Sequence, residues 1–220
     1  MSDIPAIELK DVSKRFGPRW GVSRLSYTLA PGRSLLLTGH NGSGKTTLLR
    51  MISTATFPTL GQIRLFGKET REHRAELRPQ VALLSHANFL YEDLTASQNL
   101  TLAARLMGLP DAPQTVAGVL ERVGLAARAH NPVRQFSAGM RKRVAIARLL
   151  LKAPRLALLD EPFGELDPAG IAQMEGLIRE LQERGSTVVL ATHLIEQGES
   201  LTQERLHLEQ GRRQAQEAPA

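Results

Sequence analysis

No cysteine occurs among the 220 residues, which excludes disulfides and thiolate-held metals and fits a reducing compartment. Long apolar runs are also missing: Leu149-Leu150-Leu151 is cut by Lys152, and Leu156-Ala157-Leu158-Leu159 by Asp160. Both fall far short of the roughly 20 residues that a membrane-spanning helix needs. The N-terminal segment, with Asp3, Pro5 and Glu8, lacks a secretory pattern. Neither an internal repeat nor a sustained heptad run is visible. The expectation is one cytosolic α/β domain with a subdomain, soluble by itself and large enough to bury a core without cross-links. Basic residues exceed acidic ones, giving a net charge of +6 and a pI near 10.2. They are scattered, with Arg141-Lys142-Arg143 the only tight cluster, so a solvated surface is expected before a nucleic-acid or membrane face.

What is present centres on Gly39-His40-Asn41-Gly42-Ser43-Gly44-Lys45-Thr46-Thr47, preceded by the apolar Leu35-Leu36-Leu37. It fits G-x-x-x-x-G-K-[ST]. Glycines let the backbone aim successive N–H groups at one anion. Lys45 is of a kind to reach the β/γ-phosphates, Thr46 to ligate Mg²⁺ by its hydroxyl, and Thr47 to Ile52 to open a helix whose positive end faces the phosphates. Four fixed positions coincide by chance in only about one chain in a hundred of this length.

Around this loop, Ile7 to Val12 and Leu25 to Leu29 alternate as antiparallel strands, and Gln62 to Phe66 reads as another. Val81 to Leu84, Leu156 to Leu159 and Thr187 to Ala191 read as buried strands separated by helices, which implies a parallel sheet. Lys68 to Arg78 is charged and expected to be exposed. A helical pattern begins near Phe89, with Thr95-Ala96-Ser97-Gln98 as a capping box. It continues past Pro110 and Pro113, stops at Gly124 and restarts at Ser137. This predicts a helical subdomain over about 88–152, inside a single domain spanning 1–220. Pro168 opens a helix reaching about Arg184, and 214–220 reads as a frayed tail.

Leu156 to Leu159 followed by Asp160-Glu161 is how a buried strand delivering acids at its C-terminal edge would read. Asp160 is suited to hold Mg²⁺ through water, and Glu161 to polarise the water attacking the γ-phosphate. In isolation the two could merely solvate a strand end; behind a phosphate loop they point to nucleotide hydrolysis. Phe136-Ser137-Ala138-Gly139-Met140, before them in the chain, resembles the signature motif of ATP-binding-cassette ATPases, usually Leu-Ser-Gly-Gly-Gln. Ser137 would cap a helix through Val144, Ile146 and Leu150 whose first turn offers free N–H groups.

The remaining elements follow that resemblance. Glu165-Leu166-Asp167-Pro168 is similar to the D-loop, in which Asp167 would link two subunits. Ala191-Thr192-His193 resembles the switch region, in which His193 would hydrogen-bond the γ-phosphate. Ser13-Lys14-Arg15-Phe16-Gly17 matches the segment whose aromatic stacks on adenine, a role open to Phe16 or, with Phe16 as core filler, to Trp20. The resemblance covers essentially the whole chain. It implies a phosphate-loop core with a mainly parallel sheet, an antiparallel β subdomain and an inserted helical subdomain. It also implies ATP and Mg²⁺ as ligands and a homodimer or heterodimer with ATP between the phosphate loop of one domain and the signature of the other. Transmembrane transporter subunits would be the partners, at the cytoplasmic face of the membrane.

Three departures stand out. His86 occupies the Q-loop place of a Gln, Ala138 and Met140 replace Gly and Gln of the signature, and Phe163-Gly164-Glu165 before the D-loop is unusual. Leu84 to Leu100, with His86, is similar to ATPase subunits of heme-exporter-type transporters of cytochrome c biogenesis; other drug, lipid or polysaccharide exporters are the alternative. A cassette acting on nucleic acid or ribosomes fits less well, since those carry a long coiled-coil insertion or two cassettes, and no specific nucleic-acid partner is expected. A cassette serving only as a scaffold is disfavoured by Lys45, Glu161 and His193 all being present.

Overall fold

The alternating residues near the N-terminus build an outer wall. In the computed structural model, which describes residues 4–85 and 89–214, β1 (Ile7–Phe16) and β2 (Arg19–Leu29) form an antiparallel hairpin. β4 (Leu60–Leu65) pairs antiparallel with β1, and β5 (Lys68–Glu69) completes the order β2-β1-β4-β5. Ile7, Leu9, Val12, Leu25, Leu29, Ile63 and Leu65 turn one face of this sheet inward and are buried.

The second sheet carries the site. β3 (Ser34–Thr38), β6 (Val81–Leu84), β7 (Leu156–Asp160), β8 (Thr187–Ala191) and β9 (Glu204–Glu209) run parallel in the order β9-β3-β8-β7-β6, and β10 (Arg212–Arg213) returns antiparallel on β9. Every residue of β3, β7 and β8 is buried, as a parallel strand covered on both faces must be. Leu37 and Asp160 both pair with Ala191. The C-terminal ends of these three strands therefore reach one edge, where open parallel sheets bind ligands.

Helices cover both faces. α1 (Lys45–Ile52) follows β3, the short α2 (Arg74–Leu77) precedes β6, and α3 (Ala96–Leu106), α4 (Ala112–Arg122) and α5 (Ala138–Lys152) lie between β6 and β7. α6 (Pro168–Glu183) joins β7 to β8, and α7 (Ile195–Leu201) joins β8 to β9. Alternate residues of one strand serve two different cores. Leu35, Leu37, Leu156, Leu158 and Val189 pack with α1 and the antiparallel sheet, whereas Leu36, Ala157, Leu159, Val188 and Leu190 pack toward the α3–α5 side with Leu100, Leu120 and Val144.

Several boundaries differ from those read in the sequence. The helix starts at Ala96, as the capping box at Thr95 marks it, and the helical pattern read from about Phe89 is a loop up to that point, because Asn99, 7% exposed, holds it through Oδ1 to the Tyr91 N–H and Nδ2 to the Tyr91 carbonyl. The pattern running past Pro110 breaks into α3 and α4, since Pro113 fits only the first turn of a helix. Lys68 to Arg78 is not uniformly exposed: Thr70 and Leu77 are fully buried. Beyond β8 the chain adds α7, β9 and β10, for which the sequence pattern gives no expectation. Gln214 is held by its N–H to the His207 carbonyl at 3.0 Å, and the rest of the expected tail lies outside the described residues.

The capping box of α3 forms as its residues dictate: the Thr95 hydroxyl accepts from the Gln98 N–H at 3.1 Å, and Gln98 Oε1 accepts from the Thr95 N–H at 2.9 Å. Thr95→Ala is expected to cost about 1 kcal/mol, read as a fall of roughly 2–4 °C in a thermal melt.

Candidate functional site

The phosphate loop leaves β3 at Gly39 and enters α1 at Lys45. Gly39, Gly42 and Gly44 have φ of 140°, 82° and 107°, conformations that L side chains rarely adopt. At Gly39 and Gly44 space forbids substitution too. A Cβ on Gly39 would lie 2.2 Å from the Leu208 carbonyl oxygen and 2.5 Å from Ser43 Oγ. The loop is braced from outside by the C-terminal hairpin, where the Gly211 N–H donates to the Ser43 carbonyl at 3.0 Å and the Gly211 carbonyl accepts from Ser23 N–H at 2.7 Å. Lys45 is nearly buried, its Nζ donating to the carbonyls of Gly39 at 2.7 Å and His40 at 3.1 Å. The ammonium thus closes its own loop.

Beside the loop, Asp160 ends β7 at 4% exposure and accepts a hydrogen bond from the Thr46 hydroxyl. Burial pushes its carboxyl above the usual carboxylate range, against the opposing pull of Thr46 and Lys45. Glu161 follows in a left-handed conformation, φ 50°. Its N–H donates to the Ala191 carbonyl at 2.8 Å. Its Oε2 lies 2.8 Å from His193 Nδ1. Strand pairing of β7 with β8 thus delivers Asp160, Glu161 and His193 together, as the sequence predicted for a strand-end site. His193 is exposed, and its ring is engaged with Glu161.

Ser137 caps α5, its hydroxyl accepting from the Met140 N–H at 3.2 Å, with Ala138 as the first helical residue. Gly139 is demanded by proximity: a Cβ there would sit 2.8 Å from the Glu165 carbonyl oxygen. Asp167 has a local duty besides the one inferred from its motif, because Oδ1 accepts from the Gly170 N–H at 2.9 Å and caps α6. Phe16 is 55% exposed and lies over Gly21 next to α1, which overturns the reading of it as core filler. Trp20, near Phe16 on the β1–β2 hairpin, is also solvent-accessible, with Arg15 stacked against it. His86 lies outside the described residues.

These groups fit a nucleoside triphosphate with Mg²⁺. Ser43 Oγ is fully buried with no hydrogen-bond partner of its own, an orphaned polar atom inside the phosphate loop. Among the described residues no cluster of three or more acidic or His side chains could hold a metal alone.

Residues 22–164 match the sequence profile of the ABC transporter family. The chain belongs to that family. It is 38% identical over 189 residues to the cytochrome c biogenesis ATP-binding export protein CcmA 1 of Cupriavidus metallidurans, covering 86% of this chain and 91% of that one. It is 36% identical over 221 residues to the Nod factor export ATP-binding protein I of Ralstonia nicotianae, covering 100% of this chain and 69% of that one. A dimeric ATP-binding cassette in a post-hydrolysis state, bound to ADP and phosphate, superposes with a TM-score of 0.88 at 25% identity, covering 95% of this chain and 97% of that one. The fold is that of the ABC ATPases, and the chain is an ATPase of that family.

In this cassette the sequence reading missed two parts of the site. One is the β9–β10 hairpin that braces the phosphate loop; Gln210-Gly211 was its turn signal, both residues having positive φ. The other is Lys142, expected on a solvated surface. It is 2% exposed and donates to the Glu161 carbonyl at 2.8 Å. Its place between the buried Val144 and the signature cap gave no signal that distinguishes it from its neighbours Arg141 and Arg143.

Burial of Asp160 carries a consequence for stability. Its charge is held where desolvation outweighs the local partners, so Asp160→Asn is expected to stabilise the nucleotide-free cassette by about 1 kcal/mol while abolishing Mg²⁺-dependent hydrolysis. A thermal melt without nucleotide, beside an ATPase assay, checks both; a lower melting temperature would show that the carboxylate is adequately compensated.

Proposed function

We propose that this cassette energises an exporter of the heme-exporter type, acting in cytochrome c biogenesis as a peripheral subunit on the cytoplasmic side of a membrane. The observation that carries the reading is the similarity to cytochrome c biogenesis ATP-binding export proteins, 38% identical over 189 residues for that of Cupriavidus metallidurans, against 36% for the Nod factor relative. The Nod factor relative extends well beyond the matched region, and a cassette for another exported substrate is the second reading it supports. Among the described residues no helix is long and apolar enough to cross a membrane, and we assign the transmembrane path to partner subunits.

The chemistry follows from the residues. Lys45 exchanges its loop carbonyls for the β/γ-phosphates, and the loop N–H groups bind the same anion. The Thr46 hydroxyl and Asp160 carboxylate would hold Mg²⁺, which neutralises phosphate charge when bound. Glu161 accepts the proton of the attacking water, oriented by His193 through the 2.8 Å contact. Phe16 offers an exposed ring to the adenine. The α5 N-terminus, with Ser137, Gly139 and Met140, faces the nucleotide of a second copy, so that closure on ATP and reopening after hydrolysis drive the membrane subunits. An apolar groove lined by Leu102 and Met107, with Phe89, Tyr91 and Leu106 exposed beside it, supports a membrane partner at the α3 side.

Replacing the chromosomal copy with Glu161→Gln tests the substrate. Loss of covalently heme-bound c-type cytochromes, with the rest of the heme pool unchanged, is expected. Intact c-type cytochromes would favour another exported substrate. Salt-independent absence of binding to nucleic acid is expected in parallel.

A further inference from the structure

We propose that Lys142 is a positioning residue for the catalytic carboxylate: from the signature helix it holds the main chain of Glu161 in its left-handed conformation and ties the two half-sites of one chain together. The inference rests on Glu161 acting as the base. A non-glycine residue stays left-handed only where its surroundings over-determine it. At Glu161 those surroundings are the Ala191 carbonyl on its N–H, and the Gly164 N–H at 3.3 Å together with Lys142 Nζ at 2.8 Å on its carbonyl. Lys142 alone among these comes from α5.

Residues 139 and 142 are three apart and share a helix face. Gly139 lets that face approach the Glu165 carbonyl, and Lys142 engages the Glu161 carbonyl, so one stripe of the signature helix supports the whole turn from Glu161 to Glu165. A methionine would fill the same space without a desolvated charge. An ammonium at 2% exposure is costly unless it holds something that needs a donor. The carboxylates of Glu165, Asp160 and Glu161 lie near enough to favour its charge, opposing the burial that lowers its pKa. A shift of α5 on engaging the nucleotide of the second copy would thereby be felt at Glu161 of its own chain.

The test compares Lys142→Met, which keeps volume and loses the donor, with Lys142→Arg, which keeps a charged donor. For Lys142→Met, kcat should fall at least about tenfold, with Mg-ADP affinity within about threefold and a single cooperative melt. Hydrogen exchange of the amides over 161–166 should quicken about tenfold in the nucleotide-free protein, with exchange in α1 unchanged. Lys142→Arg should stay within about fivefold of the parent in kcat. If Lys142→Met does not fold, Lys142→Gln, whose amide is too short for the carbonyl, is read in the same way. Turnover within twofold of the parent, unchanged exchange over 161–166, or Lys142→Arg as slow as Lys142→Met would each overturn the proposal. Glu161→Gln separates the two levels: normal hydrolysis there removes the base assignment itself, whereas an inactive Glu161→Gln beside a fully active Lys142→Met removes only the positioning role.

Discussion

Glu161→Gln should bind ATP as the parent does and hydrolyse it at least about 100-fold more slowly, leaving two chains held together by unspent nucleotide. The amide preserves shape and can still accept the His193 contact, but it cannot take a proton from water. The ring at 2.8 Å from Oε2 therefore remains placed while the chemistry stops. In the proposed arrangement the signature cap at Ser137 serves the nucleotide of a second copy, so slow hydrolysis should lengthen the life of the closed pair. Light scattering with and without Mg-ATP should show a dimer for the variant and mostly monomer for the parent. A variant that hydrolyses normally, or that stays monomeric with ATP even beside its membrane partner, would remove the head-to-tail arrangement.

The order phosphate loop, signature, Asp-Glu was legible because each motif couples a residue type to a strand end or helix start. Leu35 to Leu37, Leu156 to Leu159 and Thr187 to Ala191 are uninterrupted apolar runs, and such runs become strands buried on both faces; their register then fixes which side chains meet at the edge. What escaped the sequence lies where contacts cross long separations. Gly211 touches Ser43, and Lys142 touches Glu161, through backbone carbonyls that carry no side-chain signature. The α3 start was legible from its capping box at Thr95, whereas the stretch from Phe89 that hydropathy reads as helix is a loop held by the Asn99 side chain. Asp167 shows the converse: a residue read by family likeness as an intersubunit link also performs the ordinary work of an N-cap.

Lys45→Ala should weaken Mg-ATP binding by about 100-fold or more, with hydrolysis falling below detection. Two losses combine in it. The ammonium no longer meets the β/γ-phosphates, and the loop loses the bonds from Nζ to the Gly39 and His40 carbonyls at 2.7 and 3.1 Å. The two are separable, because the second is felt without nucleotide. Those bonds hold the loop in its glycine-specific conformation, so the nucleotide-free variant should melt a few degrees lower, by about 1 kcal/mol. Lys45→Met removes the charge while retaining the packing of the stem, and should lose as much affinity as Lys45→Ala with a smaller fall in melting temperature. Equal melts for parent, Lys45→Met and Lys45→Ala would show that the resting contacts contribute nothing to the loop. ATP affinity within threefold of the parent in either variant would remove Lys45 from the phosphate site.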